Sequence, residues 1–107
     1  MATGSSMQPF IYQGDKLYIE PARRNFSTGD VLVIMTQNKF IVHRLVRLKG
    51  EENEILILKG DNNSFDDPPV YEHSVIGRVY RVSPGIKRYY HRLRGIIRHF
   101  KLKTTRH

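Results

Sequence analysis

The chain has 107 residues and the composition of one globular domain, with 39% hydrophobic residues. It contains no cysteine, which excludes disulfide scaffolds and thiolate metal sites, and no apolar run approaches the roughly 20 residues of a membrane-spanning helix. The formal net charge is +8, and it is unevenly placed. Residues 1–83 carry ten basic and ten acidic side chains, whereas residues 84–107 carry eight basic side chains and no acid. The sequence therefore predicts a charge-balanced domain, residues 1–83, followed by a basic tail, residues 84–107.

Short β-strands separated by turn residues are expected up to residue 82. Alternating or β-branched apolar segments predict strands over residues 15–21, 31–36, 40–48, 55–61 and 74–82. The second and third strands, joined by the turn 37–39, predict a hairpin, and Gly77 predicts a bulge or a close approach of two backbones. Strict alternation in the third strand places Leu45 and Leu48 on opposite faces of the sheet. The expected fold is mainly β, a small curled antiparallel sheet or partly open barrel.

A helical pattern replaces the strand pattern after Pro84 and Gly85. Apolar residues spaced by three and four positions predict an amphipathic helix, through Ile86, Tyr89, Tyr90, Leu93, Ile96, Ile97 and Phe100. Its other face is basic, with Lys87, Arg88, Arg92, Arg94, Arg98 and Lys101. Such a helix is expected either to pack against the sheet or to lie on an anionic membrane surface through residues 86–101; nucleic acid is a less favoured partner.

Ser6, His43 and three acids supply the residue types of a serine peptidase. A serine hydroxyl becomes a nucleophile when a neighbouring base takes its proton, and a carboxylate behind a histidine base fixes the tautomer of the imidazole. The acids available are Asp61, Asp66 and Asp67, which follow the fourth predicted strand. Composition alone leaves other interpretations open, because aspartates are also common turn formers and a strand histidine often only bonds to a neighbour.

The spacing of five short motifs adds to this observation. In chain order they are Ser-Met-x-Pro at 6–9, Gly-Asp before a strand at 29–30, His-Arg-Leu at 43–45, Lys-Gly-Asp at 59–61 and Gly-Arg-Val at 77–79. As an ordered set they resemble the signal peptidase family, which shares a clan with the LexA-type self-cleaving repressors. The resemblance covers about residues 4–82. Because the third motif carries histidine where bacterial members carry lysine, the chain is most similar to the endoplasmic-reticulum and archaeal type.

The resemblance implies a serine endopeptidase with Ser6 as nucleophile and His43 as general base. Asp61 and Asp67 match the two acids of the histidine type, and Asp66 is the alternative to Asp67. Ser5, Ser6 and Met7 are expected to form the loop around the oxyanion. Gly4 stands where the family often has a serine that helps to bind the oxyanion, so backbone N–H groups, including that of Ser6, or Ser5 would take over this task. No metal and no other cofactor are expected.

The resemblance also implies a peptide or precursor-protein substrate, bound in extended form along a sheet edge with small residues before the scissile bond. Family members usually carry a membrane-spanning helix before the nucleophile, and in this sequence five residues precede Ser6. No apolar run is long enough to span a bilayer, and residues 1–9 lack a basic-then-apolar pattern, so the sequence predicts no transmembrane segment or signal peptide in these 107 residues and a location in the cytoplasm or peripherally on a membrane.

Two other functions fit parts of the sequence. One is a non-catalytic small β-barrel that binds nucleic acid or an anionic membrane through its basic tail. The other is a self-cleaving regulator of the LexA type. Against the second, the expected base is histidine rather than lysine, and no DNA-binding segment precedes Ser6.

Overall fold

The structure is a computed structural model, and it describes residues 4–22 and 24–85. These residues form six strands and one 3₁₀ turn, Glu72–Ser74. The strands are β1 (Lys16–Pro21), β2 (Val31–Thr36), β3 (Lys39–Lys49), β4 (Ile55–Lys59), β5 (Val70–Tyr71) and β6 (Val75–Ser83). The amphipathic helix predicted over residues 86–101 lies outside the described residues.

All six strands belong to one antiparallel sheet in the order β1-β6-β2-β3-β4-β5. The sheet is not closed, because β1 and β5 are its two edges. The predicted fold class, a mainly β protein with a small antiparallel sheet or partly open barrel, is confirmed, and the structure has the sheet rather than a closed barrel. In the described part of the chain, no helix is long and apolar enough to cross a membrane.

The β2–β3 hairpin gives the sheet its most regular pairing. The two strands pair from Val31 opposite Arg44 to Thr36 opposite Lys39. The two residues of the turn, Gln37 and Asn38, both have positive φ, at 47° and 63°. Two positive φ angles match the twist of the turn to the twist of the strands. The predicted hairpin is confirmed, and it places His43 on β3 opposite Leu32 on β2.

Strand β2 is buried on both of its faces, which explains its uninterrupted apolar sequence. One face contributes Leu32 and Ile34 to the main core cluster. On the other face, Val31 belongs to a second cluster, with Met7 and Ile11 from the segment before β1. The second cluster therefore attaches the N-terminal segment, which contains Ser6, to the sheet.

The structure corrects one prediction about β3. The register of β3 against β4 shifts between Leu45 and Arg47, so that alternation is interrupted at Val46. As a result Leu45 and Leu48 contact the same core cluster, and their predicted placement on opposite faces is wrong.

The structure adds one short strand that the sequence does not predict. The two residues of β5 follow Pro68 and Pro69, in a segment whose composition predicts a loop.

Gly77 lies at a close approach of two backbones, as predicted. A Cβ atom there would lie 2.6 Å from the carbonyl oxygen of Glu20 on β1.

Candidate active site

Ser6 lies in a loop of turns, residues 4–15, which we call the nucleophile loop. Two apolar side chains anchor this loop, because Met7 and Ile11 are buried in the second core cluster. The backbone N–H of Ile11 donates to the carbonyl oxygen of Met7 at 2.9 Å, which closes one turn between the two anchors. The anchored loop leaves the side chain of Ser6 half-buried, at the surface of a groove.

His43 lies between Ser6 and Asp67. Its Nε2 atom is 3.0 Å from the Oγ atom of Ser6, and its Nδ1 atom contacts Oδ2 of Asp67. The imidazole is mostly buried, with 11% of the side chain exposed, compared with 27% for Asp67. A histidine with a serine hydroxyl at one ring nitrogen and a carboxylate at the other has the geometry that general-base catalysis requires.

Residues 60–69, which we call the acid loop, bring Asp67 to this position. The loop leaves β4 at Lys59 and returns beside it, because the N–H of Asp67 donates to the carbonyl oxygen of Leu58 at 2.7 Å. At the start of the loop, the N–H of Asn62 donates to the carbonyl oxygen of Ser6 at 2.7 Å. One end of the acid loop thus contacts the nucleophile loop, and the other end presents Asp67 to His43.

The other two candidate acids have arginine partners. Asp61 accepts two hydrogen bonds from Arg44, from Nε at 2.9 Å and from Nη2 at 2.8 Å. Asp66 contacts Nη2 of Arg47. The hydrogen bonds from Arg44 to Asp61 raise the pKa of the arginine above its ordinary value, against the opposing effect of burial. The guanidinium of Arg44 therefore keeps its positive charge beside this carboxylate.

The residues expected around the oxyanion lie beside Ser6. Ser5 is exposed, and its carbonyl oxygen accepts a hydrogen bond from Nδ2 of Asn62 at 3.2 Å. Gly4 has a φ of +84°, a left-handed conformation that favours glycine over the serine that the family often has at this place. Met7 is buried in the core, so its side chain anchors the loop. Which of these groups binds an oxyanion stays a prediction.

A groove of about 750 Å³ contains both Ser6 and His43. Its walls are mostly aliphatic, with Leu17 and Ile19 from β1, Val33 from β2, Ile41 and Val42 from β3 and Ile76 from β6. Strand β1 pairs with β6 on one side only and forms an edge of the sheet. An edge strand offers unpaired N–H and C=O groups to an extended peptide.

Sequence reasoning missed the parts played by Arg44 and Asn62 in this site. Arg44 stood in the His-Arg-Leu motif, but no pattern in the sequence indicates which of the three nearby acids an arginine pairs with. Within residues 4–22 and 24–85, no group of histidine and acidic residues is arranged to hold a metal ion.

Comparison with known proteins identifies the family. Residues 1–80 match the Peptidase S24-like family, which is three quarters of the chain. The chain therefore belongs to this family, and its curated relatives are signal peptidase subunits, so the predicted resemblance is confirmed.

Three of these relatives carry the name signal peptidase complex catalytic subunit SEC11. The protein from Ogataea parapolymorpha is 33% identical over 74% of this chain and 57% of its own length. The protein from Zygosaccharomyces rouxii is 37% identical over 69% of this chain and 52% of its own length. The protein from Eremothecium gossypii is 40% identical over 62% of this chain and 42% of its own length. The chain thus spans about half the length of the curated relatives it matches, and no solved structure gives a significant match.

Proposed function

We propose that this chain is a serine endopeptidase of the signal peptidase type, which cleaves an extended peptide or precursor protein. The observation that carries the proposal is the chain of contacts from Ser6 through His43 to Asp67. Membership of a peptidase family supports it. The names of the relatives, which describe catalytic subunits of a signal peptidase complex, support the precursor protein as substrate.

The proposed reaction begins when Oγ of Ser6 attacks the carbonyl carbon of the scissile peptide bond. His43 accepts the hydroxyl proton at Nε2 and then gives it to the nitrogen of the leaving peptide. Water attacks the acyl-serine ester in the second half of the reaction, with His43 again taking a proton and returning it to Oγ of Ser6. Asp67 holds the imidazole in the required tautomer and stabilises its protonated form.

The negative charge that develops on the carbonyl oxygen needs hydrogen-bond donors. We assign this task to the backbone N–H of Ser6, with the hydroxyl of Ser5 as the alternative, because Gly4 offers no side chain. One missing donor in such a site costs about 100- to 1,000-fold in rate. The proposed enzyme is therefore expected to be slower than a relative that has a serine at the position of Gly4.

The aliphatic groove beside Ser6 is the proposed substrate site. An extended peptide pairs its backbone with the free edge of β1, and its alternate side chains enter the groove between Leu17, Ile19 and Ile76. The basic tail is proposed to hold the protein peripherally on an anionic membrane surface, through the basic residues of 86–101.

A serine-reactive fluorophosphonate probe and a soluble peptide substrate test the proposed function. Ser6→Ala and His43→Ala should each lower kcat by at least about 1,000-fold, since the nucleophile and the base act as a unit. Ser64→Ala and His73→Ala are matched controls, because both residues lie outside the groove, and the described side-chain hydrogen bonds of His43 go to Ser6 and Asp67. Labelling and cleavage that are equal in all five proteins would contradict the proposal.

A further inference from the structure

Arg44, the neighbour of His43 on β3, joins three segments around the candidate site. Its Nε and Nη2 atoms donate to the two carboxylate oxygens of Asp61, and its Nη1 atom donates to the carbonyl oxygen of Gly29 at 2.8 Å. Its guanidinium carbon lies 4.9 Å from the centre of the Phe10 ring, in the nucleophile loop. A planar guanidinium with two parallel bonds to one carboxylate is held in a single orientation. Arg44 therefore fixes Asp61 near the start of the acid loop.

The fixed segment of the acid loop rests directly on the backbone of Ser5 and Ser6. Asn62, the residue after Asp61, donates its N–H to the carbonyl oxygen of Ser6 and its side-chain amide to the carbonyl oxygen of Ser5. Gly60, the residue before Asp61, allows this close approach, because a Cβ atom there would lie 2.7 Å from the carbonyl oxygen of Ser6. The position of the Ser6 backbone thus depends on a segment that Arg44 holds.

A second arginine–aspartate pair in the same region has no such connection. Arg47 on β3 contacts Asp66 in the acid loop, but these side chains are 57% and 35% exposed, compared with 31% and 20% for Arg44 and Asp61. Among the described residues, neither Arg47 nor Asp66 bonds to the nucleophile loop. The Arg47–Asp66 pair therefore serves as a control for the Arg44–Asp61 pair, because both pairs join β3 to the acid loop.

We propose that Arg44 is a positioning residue, which keeps Oγ of Ser6 within reach of His43 by clamping Asp61 and Asn62 against the nucleophile loop. This inference rests on the proposed function, and it assigns Asp61 to the clamp rather than to the histidine. Arg44 does not line the groove, so its loss should affect the chemical step more than substrate binding. A displacement of a reacting group by about 1 Å is enough to lower a rate by about 100-fold.

The test compares Arg44→Lys with Arg47→Lys in the full chain. Lysine keeps the charge but has no planar fork, so Arg44→Lys should lower kcat by about 10- to 100-fold and leave KM nearly unchanged. The inactivation rate at saturating fluorophosphonate should fall by the same factor. Asp61→Asn removes the charge from the other side of the clamp and should give the same split between kcat and KM, whereas Arg47→Lys and Asp66→Asn should match the wild type.

Each variant is assayed well below its own thermal unfolding midpoint, so that a loss of folded protein does not enter the rates. Guanidinium ion at millimolar concentration, added to Arg44→Ala, supplies the missing group and should restore part of the lost kcat. The clamp is overturned if Arg44→Lys and Asp61→Asn have the kcat of Arg47→Lys, or if their losses appear in KM. A wild-type chain that neither cleaves peptide nor reacts with the probe instead overturns the proposed function, and the clamp with it.

Discussion

Three aspartates of one short loop have three different partners, and backbone position decides which partner each one meets. Asp67 follows the turn that brings its N–H to Leu58, and it reaches His43 there. Asp66, one residue earlier, contacts Arg47, and Asp61 at the start of the loop contacts Arg44. Chemically identical side chains are therefore expected to contribute very differently to activity.

Asp67→Asn and Asp66→Asn test this difference directly. An amide at position 67 keeps the size of the side chain but favours the wrong histidine tautomer, so kcat should fall by about 10,000-fold. Asp66→Asn changes an exposed contact with Arg47 and should alter kcat very little. Steady-state kinetics on one peptide measure both. A large loss in Asp66→Asn with a normal Asp67→Asn would reverse the assignment.

Part of the candidate site was predictable because the order of the motifs pointed to two of its residues. Ser6 and His43 were named from the sequence, and the structure places their side chains 3.0 Å apart. The choice among the three acids stayed open, because a loop sequence does not indicate which carboxylate faces a strand residue. The part played by Arg44 was missed for the same reason, since it depends on contacts between segments that are distant in the chain.

At the level of the element, β2 connects the main core cluster on one face of the sheet to the cluster that holds the nucleophile loop on the other face. Its alternate residues enter two separate clusters, one in the main core and one under the nucleophile loop. A continuous apolar run predicted a buried strand, and that prediction is confirmed. The run could not indicate that its two faces pack against different partners, because those partners are distant from β2 in the chain, with Leu56 and Leu58 in one cluster and Met7 in the other.

Large-to-small substitutions in β2 test the contribution of this strand to stability. Leu32 is fully buried, so Leu32→Ala should lower the free energy of unfolding by about 2–5 kcal/mol. Met35 lies on the same strand with 48% of its surface exposed, and Met35→Ala should cost less than about 1 kcal/mol. Urea unfolding of the two variants measures the difference. Equal losses would show that the burial of Leu32 does not stabilise the fold.

The strands were predicted to within about two residues of their observed bounds, because period-two alternation and turn residues are local signals. These local signals do not predict features that depend on which strands pair with each other. The two residues of β5 form a strand only because they meet Ile55 and Leu56 of β4. The register shift after Leu45 likewise reflects the packing of Leu45 and Leu48 onto one cluster.

At the scale of the whole molecule, charge separates the chain into two parts. The ten acids all precede residue 84, whereas eight of the 18 basic residues follow it. The last described residue, Gly85, is held close to the nucleophile loop, because its N–H donates to the buried carboxylate of Asp15 at 2.8 Å. The basic tail therefore starts from a fixed point beside β1, and its contribution to function is testable separately from that of the sheet.

Removal of residues 86–107 distinguishes a peptidase from a binding module. The shortened chain should still cleave a soluble peptide, because Ser6, His43 and Asp67 contact one another directly and all lie within the retained sheet domain. It should lose binding to vesicles of anionic lipid, since each basic residue near such a surface contributes about 1 kcal/mol. Vesicle sedimentation and peptide kinetics measure the two effects, and a full-length variant with glutamine at the eight basic positions is the control. If the full-length chain does not cleave peptide and its only activity is tail-dependent, salt-sensitive binding, the non-catalytic barrel is favoured.

The acid loop is fixed at its two ends by independent contacts, from Asn62 to Ser6 and from Asp67 to Leu58. Its middle includes Phe65, which is 83% exposed. Doubling the length of a flexible loop adds only about 0.6 kcal/mol of closure entropy. Residues inserted next to Phe65 would therefore leave both ends of the loop in place. We expect the fold to tolerate such an insertion, so a segment that binds another molecule could be added there without changing the groove.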